Sequence, residues 1–193
     1  LPATNVREFI EHAKAQKDPL QYGTFGVGST AHLYGEYLKM LTGIDMIPVP
    51  FKSATELMTN MLGGHILVGF LDSTSARNAL NNKQLVALAQ TAAERSPGLP
   101  DVATMVEQGI EFDLGGPWQG IFGRTGTPKE VIDTLNREIV AFLNLPETRE
   151  KMIATVGQAP LPTTPEEFAE IIERDRATYK AIIEKAGIKL NQP

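Results

Sequence analysis

Between residues 21 and 88, short apolar runs alternate with amphipathic stretches of helical period, and few folds accept that order. The runs fall at 21–24, 46–49, 66–71 and 85–88, and the helical stretches between them at about 30–41, 53–62 and 74–81. A helix-long connection returns the chain to the same end of a sheet, so successive strands lie parallel and the helices cover the faces. The run at 66–71 is apolar at nearly every position, as a strand buried on both faces requires. The chain is therefore predicted to be an α/β protein built on a parallel sheet.

In such sheets ligands sit beyond the carboxyl ends of the strands. Three polar clusters fall there, at 24–30, 51–53 and 72–75. The first lies within Gln21-Tyr22-Gly23-Thr24-Phe25-Gly26-Val27-Gly28-Ser29-Thr30-Ala31-His32-Leu33, which reads as a strand, a tight glycine turn and the first turn of a helix. Gly26 and Gly28 lack Cβ atoms, so the backbone can turn sharply and a ligand can approach it. Ser29 or Thr30 caps the helix. Its first N–H groups have no partner within the helix and carry the positive end of its dipole, a ready place for a carboxylate or phosphate. The plainer reading is the glycine that any α/β protein needs between strand and helix. Lys52 either brings positive charge to this edge or is a solvated surface lysine. Asp72 caps the next helix, or accepts hydrogen bonds from a ligand or a bridging water. His32 donates to a bound anion, or packs and caps locally.

Several chemistries lack their residues. Gly26-Val27-Gly28-Ser29-Thr30-Ala31 fits the loose dinucleotide pattern, but the second strand ends Ile47-Pro48-Val49-Pro50-Phe51-Lys52 with no carboxylate for a ribose, and Asp45 lies at its wrong end. No Gly-Lys-Ser/Thr triplet occurs. No G-x-S-x-G elbow surrounds Ser29. Cysteine is absent, which removes thiol catalysis, cysteine metal sites and disulfides. His12, His32 and His65 have no metal-ligand spacing, so neither metal nor cofactor is expected. A net charge of −5 argues against nucleic acid or an anionic membrane as partner. No apolar run reaches membrane-spanning length. Leu1-Pro2-Ala3-Thr4 opens straight into a helix capped by Asn5, so no signal peptide is expected within the chain, and a mature or trimmed chain would read the same.

Beyond residue 88 the pattern changes. A proline-rich loop at 95–101 leads to a short helix near 102–108, and 118–122 is predicted as a strand that places Trp118 and Phe122 in the core. Helices are expected at about 127–144, 147–156 and 164–185, the first with Val131, Ile132, Leu135, Ile139 and Phe142 on its inner face. Glu173, Arg174, Asp175 and Arg176 read as a solvated face of the last helix. A tail this helical needs a sheet to cover, so part of its structure is expected to lie outside the chain.

Six segments, in order, resemble the tripartite tricarboxylate transporter receptors, the extracytoplasmic solute-binding proteins called Bug or TctC proteins. Residues 22–33 resemble the family's tight-turn motif. Val49-Pro50-Phe51-Lys52-Ser53 is similar to V-P-Y-K-G, Leu62-Gly63-Gly64-His65-Ile66 to L-G-G-Q-V, and Leu85-Val86-Ala87-Leu88-Ala89 to L-R-A-L-A. Residues 95–104 resemble R-S-P-x-L-P-D-V-P-T, and Thr125-Gly126-Thr127-Pro128 resembles A-G-T-P. Departures are mild: Phe51 for tyrosine, Ser53 for glycine, Ala103 for proline, and Gly23-Thr24 for a small-serine pair.

The resemblance implies a type II periplasmic-binding-protein-like fold, with residues 1–115 as a complete second lobe and 116–193 as the C-terminal, mostly helical part of a first lobe only partly present. It implies a periplasmic receptor, not an enzyme, that clamps a small carboxylate (a dicarboxylate, amino acid or aromatic acid) and hands it to membrane permease subunits. One carboxylate would rest on Gly28, Ser29 and Thr30, with Thr24 and Asp72 bonding directly or through water. A half-built lobe would expose apolar surface and could pair with a second copy. Two other readings use the same turn: an enzyme of a nucleotide or phosphorylated substrate, and the effector-sensing domain of a transcription regulator.

Overall fold

β1 (Leu20–Thr24) is the middle strand of a parallel sheet in a computed structural model that describes residues 1–114 and 118–189. β2 (Met46–Pro50) pairs with one side of it, from Leu20 opposite Met46 to Thr24 opposite Pro50. β3 (Val68–Gly69) pairs with the other, Tyr22 opposite Val68 and Gly23 opposite Gly69. Pro48 and Pro50 lack N–H groups, which suits β2 to the sheet edge. Each strand is followed by a helix: α2 (Thr30–Thr42), α3 (Ala54–Leu62) and α4 (Ser73–Asn81).

The core forms where side chains of four helical and strand faces meet. α1 (Val6–Ala15) contributes Val6, Phe9 and Ala13, spaced for one face of a helix. Tyr22 and Met46 come from the sheet, Leu33, Tyr34 and Leu38 from α2, and Phe112 and Leu114 from the irregular stretch after Gly109. Tyr34, Tyr37 and Phe70 pack edge-on against their aromatic neighbours. α7 (Pro165–Ala186) closes this core with Ile182, which is fully buried.

Four expectations are corrected. The strand at 66–71 shrinks to two residues because the amides of His65 and Ile66 turn back to the Asn60 carbonyl at the end of α3, so pairing starts late. The run at 85–88 is no strand. Leu85 N–H goes to Ala79 O of α4 and Leu88 O takes the Gln108 side chain, leaving one bridge between Gln90 and Thr104. Apolar residues alone specify no ladder partner there, and Val86 is left 62% exposed. The helix near 102–108 is a single capped turn: Thr104 Oγ1 accepts from Glu107 N–H, the Glu107 carboxylate accepts from Thr104 N–H, and Gly109 ends it at φ +83°. Residues 118–122 form no strand, and Trp118 and Phe122 remain 41% and 67% exposed beside Phe168.

A fifth correction concerns Asp175. It is buried, not solvated: one carboxylate oxygen accepts from Trp118 Nε1–H at 2.8 Å and the other takes the Arg174 guanidinium. α5 (Lys129–Leu143) buries none of its residues, so its expected inner face, including Val131, Leu135 and Phe142, lies open among the described residues.

α6 (Pro146–Val156) docks end-on against α4. The Ser73 and Thr74 hydroxyls donate to Val156 O at 3.3 and 3.2 Å, Arg77 Nη1 donates to Ala154 O at 2.6 Å, and the Ser96 hydroxyl donates to Gly157 O. Negative and positive helix ends thus face each other. Arg77→Ala is expected to lower the urea midpoint, with a loss of about 1 kcal/mol, and an unchanged midpoint would show that the hydroxyl contacts suffice.

Candidate functional site

Because the sheet is parallel, the ends of β1, β2 and β3 share one edge, and the N-termini of α2, α3 and α4 open onto it. The three predicted polar clusters therefore lie side by side, with the glycine turn in the middle and Lys52 and Asp72 on the flanks. Each helix is capped by the side chain just before it. Ser29 accepts from His32 N–H, Ser53 from Glu56 N–H, and Asp72 from Ser75 N–H.

The turn takes its shape from two glycines at φ +107° (Gly26) and +78° (Gly28), a region that a Cβ would strain. Thr24 is buried beneath it. Its carbonyl accepts from Phe51 N–H at 2.8 Å, and its hydroxyl accepts from Gly26 N–H at 3.4 Å.

The amides are distributed differently from the sequence expectation. Gly28 N–H donates to His32 Nδ1 at 3.0 Å, and Ser29 N–H donates to Gly26 O at 3.2 Å. Two of the three donors assigned to an anion are thus engaged within the protein. Thr30 N–H and Ala31 N–H, at the first two helical positions, have no acceptor among the described residues, and Thr30 is exposed. The open donors are thus Thr30, which the sequence already names, and Ala31 beyond it.

His32 is buried, and its Nδ1 accepts from Gly28 N–H, so any donation by the ring falls to Nε2. An accepting Nδ1 fixes the neutral ring with its proton on Nε2. Burial lowers the imidazole pKa from its usual 6.5, against the opposing pull of Glu36. Behind the ring the Tyr22 hydroxyl contacts His32 O at 3.2 Å and Glu36 Oε1 at 3.1 Å, and Lys39 pairs with Glu36 at 3.0 Å. Burial pushes the Tyr22 phenol well above its usual range, so it stays a donor. Motif reading missed this layer, although the four-residue spacing from Gly28 to His32 carries its signal.

On one flank, the Lys52 ammonium has no ion-pair partner among the described residues, while its backbone N–H is held by Glu56. On the other, both oxygens of Asp72 are taken up locally, one by Ser75 N–H at 2.8 Å and one by the Ser75 hydroxyl at 2.7 Å. The edge offers amide donors and a free cation at its centre and one side, and a satisfied carboxylate at the other.

A family model described as tripartite tricarboxylate transporter family receptor matches residues 1–188. The curated protein BugT of Bordetella pertussis is 26% identical over 190 residues, which cover 98% of this chain and 58% of BugT. The structure of R. palustris Rpa4515 with adipate aligns at a TM-score of 0.81 and 27% identity, over 97% of this chain and 62% of that one. A periplasmic transporter aligns at a TM-score of 0.81 and 31% identity, over 99% and 63%. The chain spans about half the length of the curated relatives it matches, 56% for two of them. The α/β, periplasmic-binding-protein-like fold expected from the sequence is the fold of these neighbours.

Proposed function

Because the chain belongs to the tripartite tricarboxylate transporter receptor family, we propose that it is a solute receptor that holds a carboxylate of a small organic acid at the glycine turn. The carrying observation is the pair of amides at Thr30 and Ala31, without protein acceptors at the positive end of α2. Ser29 and Thr30 add hydroxyls, and Lys52 adds charge from the flank. Gly26 and Gly28 let the acid approach the backbone, while Thr24 and His32 hold the turn's shape from beneath. Asp72 serves first as the cap of α4 and reaches the ligand through water.

In this reading residues 1–115 form one lobe and 116–193 return to the other, with α7 packed back on the core of the first through Ile182. Closure over the acid is read by membrane permease subunits on the periplasmic side. No bond is made or broken. The adipate bound by Rpa4515 makes a dicarboxylate the first candidate. Among the described residues no helix is long and apolar enough to cross a membrane.

Thermal unfolding of the full-length protein with adipate, malate, glutamate, benzoate, phosphate and NAD tests this. An acid at a hundredfold excess over its Kd raises stability by about 2.7 kcal/mol, and a carboxylate is expected to give that shift. A shift with NAD or phosphate alone would instead favour the enzyme reading, and no shift with any acid would overturn the receptor.

A further inference from the structure

The glycine turn is held by three hydrogen bonds of unequal quality. Gly26 N–H reaches Thr24 Oγ1 at 3.4 Å, Ser29 N–H reaches Gly26 O at 3.2 Å, and Gly28 N–H reaches His32 Nδ1 at 3.0 Å. The shortest is the only one made by a group that titrates near neutrality. Between the two positive-φ glycines Val27 is 56% exposed, so packing does little to hold the loop. Glycines also lose the most backbone freedom on being fixed. We propose that His32 is the positioning residue of the anion site, a strap that holds the glycine turn through Gly28 N–H and lets go when its imidazole gains a proton.

The chemistry allows only this sense. A neutral ring presents a lone pair at Nδ1, whereas the imidazolium has N–H at both nitrogens and meets the Gly28 N–H donor to donor. The ring is placed by its surroundings. Its own helix brings Glu36 and Lys39 to it, and β1 brings Tyr22, whose hydroxyl holds the His32 carbonyl. β2 has no titratable residue, and α7 brings Asp175 and Tyr179 to bear on Tyr34, two positions along α2. The folded ring sheds its proton more readily than the unfolded one, for which 6.5 is the ordinary value. As pH falls below that value the unfolded chain takes up the proton first. The stability the strap contributes is therefore complete above it and is lost as pH falls through the window down to the folded-state pKa.

The effect on affinity rests on the receptor reading; the strap itself does not. Amide NMR of the full-length protein without ligand tests the strap directly. Gly28 N–H is expected to be protected from exchange at pH 7.5, and its shift to follow the His32 ring resonances as pH is lowered. His32→Asn keeps an acceptor near the Nδ1 position, so it should retain the protection and abolish the pH response. His32→Leu should lose the protection at every pH. A Gly28 signal indifferent to pH and to His32→Leu would overturn the strap. With adipate as probe at pH 7.5, His32→Leu is expected to bind about tenfold more weakly and His32→Asn within about threefold of the parent. Equal affinity in His32→Leu would overturn the positioning role, whereas a parent protein that binds no acid fails the receptor reading and leaves the NMR result standing.

Discussion

Thr30→Pro is expected to weaken carboxylate binding by about tenfold to a hundredfold, the equivalent of one lost hydrogen bond to a charged group, while the fold survives. Proline at the first helical position costs little, because the N–H it removes has no partner in the helix and its φ is already helical. Thr30 occupies that position of α2, and its amide has no acceptor among the described residues. The residue before a proline must be extended, and Ser29 already is, at φ −65° and ψ 159°. The Ser29 cap involves His32 N–H and is untouched. The variant thus deletes a donor aimed at the ligand and little else. Thr30→Ala is its control: it keeps the amide, loses the hydroxyl and should bind closer to the parent. Calorimetry with adipate checks the affinity, and a thermal midpoint within about 2 °C of the parent confirms the fold. If Thr30→Pro bound the acid as the parent does, the amides of α2 could not be its anchor.

The edge on which this rests was legible because alternation is a global property. Once three strands are each followed by a helix, Thr24, Lys52 and Asp72 must come to one side, whatever their neighbours. Caps were legible in part, because a cap is a local bond: Ser29, one of the two candidates before α2, and Asp72 each reach an amide three residues on. The ownership of the amides was not. It depends on the His32 ring folding back over the turn to claim Gly28, a side-chain choice set by burial and by the Tyr22–Glu36 pair beneath. Sequence spacing lists the donors of a helix end without saying which are already taken. The failures at 66–71 and 85–88 have a related cause, since an apolar run does not name the partner at the right register that a ladder needs, and Leu67 and Val86 are in fact exposed. Asp175 was misread for the same reason: its charge suggested water, but Trp118 brings a donor that lets the carboxylate stay buried.

Gly35→Ala should have the largest effect on stability, and it acts through the residue that supports the site. Gly35 lies inside α2, where alanine alone would stabilise a helix by about 1 kcal/mol. A Cβ there would stand 2.1 Å from Tyr22 Cε2, 2.3 Å from Cζ and 2.6 Å from the hydroxyl. The ring cannot yield cheaply. Tyr22 is fully buried in the central strand, packs edge-on against Phe70 and has its hydroxyl held by His32 O and Glu36. Overpacking of about 1–3 kcal/mol and the loss of the hydrogen bond that the one phenol proton makes, at about 1 kcal/mol, outweigh the gain in propensity. The expected net loss is about 1–3 kcal/mol, or a fall in melting temperature of roughly 2–12 °C for a chain of this size. Tyr22→Leu removes the ring and is destabilising alone, but in the Gly35→Ala background it should restore part of the loss, because the two changes share one contact. Strict additivity in that double-mutant cycle would place the cost elsewhere in α2. Binding should follow stability, since a displaced Tyr22 releases the His32 carbonyl and with it the ring that holds Gly28. Gly35→Ala is therefore expected to weaken adipate binding even at temperatures where the protein is fully folded, although Gly35 lies on the buried side of α2, away from the open amides.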